Sequence, residues 1–265
     1  MTIVMLVARH VVKERVRERV LWSIAAVAAL LVCGAVLLGQ LTAGQDVRII
    51  KDLGLAAIEL AGVVMSVYVG VQVVTREIEQ RSIVNVLAKP LHRWQFVVGK
   101  FVGLAITVAM TTAGMSIAFL AVLAWMQISG MYPTGAGAPP LDVHLAQPLG
   151  LIVIQLWVLT AVAVLVSTVA TDSLTAVLLT IGIWVVGLLS DDLRAFEGAS
   201  PVLEAVVRAV GAIVPAFSEF DVKAAVVNGR PLAWSDIGLT AAYGITYAAA
   251  LVGAAVAMFS QRELE

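Results

Sequence analysis

The chain has 265 residues and a mass of 27.9 kDa; 61% of its residues are hydrophobic, 13% are charged, the formal net charge is -1 and the mean hydropathy is +0.99. Soluble domains are about half apolar and about a quarter charged, so a soluble enzyme, a nucleic-acid binder and a disordered regulator are excluded and an integral membrane protein remains. The single cysteine, Cys33, has no internal partner and lies in an apolar run, where a small buried side chain is the expectation.

Residues 3–20 place Val4, Val7, Ala8, Val11, Val12, Val16 and Val20 along one helical stripe, with Arg9, Lys13, Glu14, Arg17 and Glu18 mostly opposite. This predicts an amphipathic helix lying on the inner leaflet, its cations toward anionic lipid, with a sharp turn near Leu21 and Trp22. A plain positive-inside anchor fits the same residues. A span needs about 20 mainly apolar residues. Six segments qualify: 20–38, 53–74, 96–126 (starting at Phe96 or Phe101), 149–170, 173–190 and 237–259, followed by a tail at 260–265. The first run is longer than the apolar region of a usual signal peptide and follows an amphipathic segment, so it is expected to be retained. Within 199–220, the stretch Val202 to Phe217 is apolar but broken by Glu204, Arg208 and Pro215, which predicts interfacial or re-entrant helices. Asn228-Gly229 predicts a turn before the last span.

Six spans put both termini on one side. That side carries 11 of the 17 cations: Arg9, Lys13, Arg15, Arg17, Arg19, Arg76, Arg81, Lys89, Arg93, Lys100 and Arg262. The positive-inside rule therefore makes both ends cytoplasmic.

Residues 75–95 hold a second amphipathic stretch on the cytoplasmic side. Thr75 is placed to cap a helix, Glu77 and Glu79 suit its positive end, and Pro90 stops it. Ile78, Ile83, Val86 and Leu87 offer apolar contacts while Glu79, Gln80, Arg81, Ser82 and Asn85 offer polar ones, a mixture suited to docking in another protein's groove or to lying on lipid.

The run Arg76-Glu77-Ile78-Glu79-Gln80-Arg81-Ser82-Ile83, with Leu87-Ala88-Lys89-Pro90-Leu91-His92-Arg93-Trp94-Gln95-Phe96 and Gly99-Lys100-Phe101-Val102-Gly103, resembles the motif between the second and third spans of ABC transporter permeases of the ABC-2 class. Ser82 stands where that family usually has threonine, which keeps the hydroxyl. The resemblance implies an all-α, six-span transmembrane domain with an N-terminal connecting helix at 1–19, a cytoplasmic coupling helix within 75–95 and short external helices at 199–220. It further implies that Glu77, Ile78, Glu79, Gln80, Arg81, Ser82, Ile83, Asn85, Val86 and Leu87 contact a separate cytoplasmic ATPase, with ATP and Mg held there and no cofactor in this chain. A second permease copy or a homologous permease, a bacterial inner-membrane location and outward transport of an unidentified substrate complete what it implies.

No G-x-x-x-x-G-K-S/T segment is present, so ATP hydrolysis is expected of another chain. His10, His92 and His144 lie outside the spans, which leaves no intramembrane zinc, haem or Ser/His site. Glu59 is the one ionisable residue expected inside a span: it lines a translocation path, reaches the outer interface or hydrogen-bonds a neighbouring helix, and it should not pair with Lys100. Asp191-Asp192 matches no calcium loop and is expected to be solvated. Gly62, Ser66 and Gly70 on the second span, and Gly99 and Gly103 on the third, predict close helix approaches within or between subunits. An ATP-independent channel or secondary carrier with inverted three-helix halves is the alternative function.

Overall fold

A computed structural model describes residues 3–40, 46–79, 93–129, 141–170, 172–190, 211 and 213–261. All regular structure among them is helical: α1 (Ile3–Val16), α2 (Arg19–Gln40), α3 (Asp46–Glu79), α4 (Arg93–Ile128), a 3-10 turn (Val143–Leu145), α5 (Ala146–Val169), α6 (Ser173–Leu188), a second 3-10 turn (Phe217–Phe220), α7 (Lys223–Val227) and α8 (Trp234–Gln261). Among the described residues, Val47–Gln72, Trp94–Ile128, Val143–Val169 and Trp234–Ser260 are long and apolar enough to cross a membrane, while Leu21–Gly34 and Ser173–Leu188 are shorter apolar helices. The protein is therefore an all-α bundle of multi-pass membrane type.

One helix clearly outruns the apolar stretch that announced it. Helix α3 begins at Asp46 and continues unbroken through Thr75 to Glu79, so Thr75 lies inside a helix and does not cap a new one. Charged residues at both ends shorten the apolar run without breaking the backbone hydrogen-bond ladder, because Arg, Lys and Glu are good helix formers. The other ends are marked by local chemistry. Asp172 caps α6 by accepting from the Thr175 backbone N–H at 3.0 Å and the Thr175 hydroxyl at 2.6 Å. The predicted turn at Asn228-Gly229 closes α7: Gly229 has φ +74°, its N–H donates to the Val226 carbonyl at 3.0 Å, and the Arg230 N–H donates to the Ala225 carbonyl at 2.8 Å. Glycine adopts that left-handed geometry without a Cβ penalty.

In hydrocarbon, helices gain little from leaving lipid, so association depends on close contact and on hydrogen bonds between helices. The small face of α3 meets this need within the chain. A side chain at Gly62 would overlap Leu156, and a Cβ at Gly70 would lie 2.6 Å from the Ala163 Cβ, so α3 and α5 pack almost backbone to backbone. Ile58, Met65, Leu156 and Leu159 are fully buried around that seam. The Trp157 indole N–H donates to the Ala105 carbonyl at 3.0 Å and ties α5 to α4. Phe96 near the start of α4 stacks on Phe259 near the end of α8, ring centroids 6.2 Å apart, which brings α1, the start of α4 and the end of α8 to one end of the bundle. This is the α1 end; the starts of α3, α5 and α8 form the far end.

Candidate functional site

At the far end the chain between α6 and α8 turns into the bundle. Phe217 and Phe220 are fully buried, Phe217 against Gly187 of α6 and Phe220 against Gly244 of α8. Gly244 lies ten residues along α8, about 15 Å from its start at 1.5 Å per residue, so the segment reaches well below the helix ends. Hydrogen bonds hold it there. The Ala216 N–H donates to the Tyr243 hydroxyl at 3.2 Å, the Tyr247 hydroxyl donates to the Ile213 carbonyl at 2.7 Å, and Ser190 shares a 2.7 Å hydrogen bond with Ser218. The Gln147 amide donates to the Leu232 carbonyl at 2.9 Å and fastens the approach to α8. Residues 191–210 and 212, with Asp191, Asp192 and most of the apolar stretch from Val202, lie outside the described residues.

Under this segment sits Glu59, 7% exposed. Its Oε1 accepts from the Gln155 amide of α5 at 2.9 Å, and its Oε2 is ion-paired with the ammonium of Lys223 on α7, which also lies 3.6 Å from Asp221. Three elements separated by 96 and 164 residues of sequence thus converge on one carboxylate. Glu59 thus bonds a neighbouring helix, one of the roles open to it in the sequence. A carboxylate in a span is tolerated when its charge is matched and its lone pairs are used, and both conditions hold. Lys100 is not its partner: it is buried at the other end with its ammonium 4.4 Å from the centre of the Phe96 ring.

At the α1 end the valine stripe of α1 faces protein rather than lipid. A Cβ at Gly103 of α4 would lie 2.7 Å from the Val11 Cβ and 2.9 Å from the Ala8 carbonyl oxygen, and one at Gly99 would lie 2.9 Å from the Val7 Cβ. The two glycines form a shallow seat into which α1 settles, and Ala8 and Val11 are buried in it. Arg15, expected among the lipid-facing cations, is instead 4% exposed and paired with Glu18 at 2.7 Å. The opposite face, with Met5, Leu6, Arg9, Lys13 and Arg17, stays open. Helix periodicity reports a face that must be covered; it does not distinguish lipid from a second helix.

The residues expected to contact an ATPase fall at the end of α3 and beyond it. Glu77, Ile78 and Glu79 belong to the helical backbone of α3, while Gln80, Arg81, Ser82, Ile83, Asn85, Val86 and Leu87 lie outside the described residues. Among the described residues no three of His, Cys, Asp and Glu come together as a metal site.

The described residues thus form an all-α bundle of multi-pass membrane type with an ion pair buried at one end. The family model described as ABC-2 family transporter protein matches residues 5–259, and the chain belongs to that family. No curated protein matches the sequence closely enough to count as a relative. Membership makes the chain the transmembrane component of an ABC-2 type transporter, a domain that carries no ATPase site of its own.

Proposed function

We propose that this chain is the permease subunit of an ATP-driven exporter in a bacterial inner membrane, crossing it six times with both termini cytoplasmic. Two copies, or one copy and a homologous permease, enclose the path, and separate cytoplasmic ATPase subunits dock on Glu77 to Leu87. The observation that carries this reading is the continuity of α3: one helix runs from the far end, past Glu59, to Glu79 inside the family motif. A push on that motif travels along a rigid rod to the carboxylate under the far-end segment, and differential contacts in two states are all that such transmission needs. In this reading Glu59 marks the outer end of the path, and residues 213–227 close it. Helix α1, seated on the first turns of α4, moves with the coupling segment as the connecting helix.

The test is mild-detergent purification of the tagged protein from its native host, with mass spectrometry of the proteins that accompany it. The wild type should bring down an ATPase with a G-x-x-x-x-G-K-S/T motif, and Glu79→Arg and Ser82→Arg should each abolish its recovery. A wild type that recovers no ATPase even under crosslinking refutes the ABC reading and leaves the ATP-independent carrier as the case to test.

A further inference from the structure

A groove of about 440 Å³ runs between α2 and α4, with Ile58 of α3 at its floor. Its lining is apolar; the Thr111 hydroxyl is already given to the Thr107 and Val108 carbonyls of its own helix, at 3.0 Å each. At Gly62, Gly70, Gly99 and Gly103 glycine lets helices touch, whereas a Cβ at Gly114, which lines this groove, would meet nothing within 4 Å. Ala25, Ala29 and Ala118 line the same opening, so two small-residue walls face each other across empty space.

We propose that this groove holds one acyl chain of an anionic phospholipid from the leaflet at the α1 end. Length supports a single chain. The groove follows α2 from Leu21 to Cys33, 12 residues or about 18 Å, close to the roughly 15 Å that one leaflet contributes to a hydrocarbon core about 30 Å thick. Its volume falls within the range of about 300–1,000 Å³ found for small-ligand sites. The mouth fixes the direction and the headgroup. Val16 and Leu21 line that end, where α1 turns into α2, and the exposed Arg17 and Arg19 lie between them in sequence. Trp22 stays largely exposed while its indole N–H donates to the Val16 carbonyl at 3.0 Å, so the elbow presents an aromatic and two cations at the level where a phosphate would sit. Cys33, expected to be buried, is exposed and lines the opposite end of the groove. An occupied groove also accounts for the exposure of Gly114 and Ala118 halfway along α4.

The assignment of the α1 end to the cytoplasmic leaflet rests on the permease reading, but lipid retention does not depend on leaflet, ATPase or substrate. The test is therefore native mass spectrometry of the full chain released from nanodiscs of mixed phosphatidylglycerol and phosphatidylcholine. The wild type should carry a mass increment of one phosphatidylglycerol per chain. Gly114→Phe, which fills open space and should leave the helical content unchanged by circular dichroism, should lose that increment; Arg17→Glu with Arg19→Glu should keep a lipid and lose the preference for phosphatidylglycerol. Gly114→Phe that retains the same lipid in the same number overturns the proposal. So does Gly114→Phe that keeps its lipid but dissociates a dimer, because the occupant is then a second copy of the chain.

Discussion

At the far end a carboxylate, an amine and an amide from α3, α7 and α5 meet out of water, whereas at the α1 end two glycines receive the valines of a neighbouring helix. The first arrangement is directional: it is satisfied in one geometry and costly when half broken, because removing one partner strands the other in a poor dielectric. The second is tolerant of small rotations and intolerant of added volume. A transporter that closes one end firmly and receives a push at the other needs this division. In the proposed mechanism the far end is the latch and the α1 end the bearing.

The largest effect should come from breaking the latch on one side. Lys223→Met leaves Glu59 buried and uncompensated and should cost about 3–5 kcal/mol, read as the steepest fall in thermal stability in detergent among the variants considered. Combining it with Glu59→Gln should recover most of that loss, since no charge is then stranded; a single Lys223→Met that melts like the wild type contradicts the ion pair. Next in size is the bearing. Gly103→Leu drives a side chain into Val11 and the Ala8 carbonyl and should cost about 1–3 kcal/mol, with α1 becoming accessible to protease, while Gly114→Ala on the same helix should change neither. Gln155→Leu removes one hydrogen bond to the buried carboxylate, and because the added apolar contact returns part of the roughly 1.5–3 kcal/mol such a bond carries, its net cost should be smaller than that of Gly103→Leu. Smallest of all is Ser82→Thr, which restores the family's usual residue and should leave ATPase recovery unchanged.

The long helices were legible because a span announces itself by composition, and the family was legible from the ordered run Arg76 to Gly103. Extents were less legible, since Asp46 to Asp52 and Thr75 to Glu79 extend α3 with charged residues that hydropathy does not count as span. The partner of Glu59 was not legible at all: Lys223 lies 164 residues away in a segment that reads as surface charge. A hint existed in Phe217, Phe220, Val222, Val226 and Val227, an apolar density too high for a solvated loop and buried in the structure. The valine stripe of α1 and the glycines of α4 were both visible, but nothing local says that they face each other.

If α3 couples the motif at one end to the latch at the other, the Ser190–Ser218 contact gives direct access to that link. In a Cys33→Ser background, Ser190→Cys with Ser218→Cys places two thiols where the hydroxyls now meet, so that oxidation fixes the far-end segment to the end of α6. Reconstituted with its ATPase, the oxidised permease should hydrolyse ATP several-fold more slowly than the reduced one, and reductant should restore the rate. An oxidised complex that turns over ATP at the reduced rate would show that the far end need not move, and the coupling assigned to α3 would be wrong.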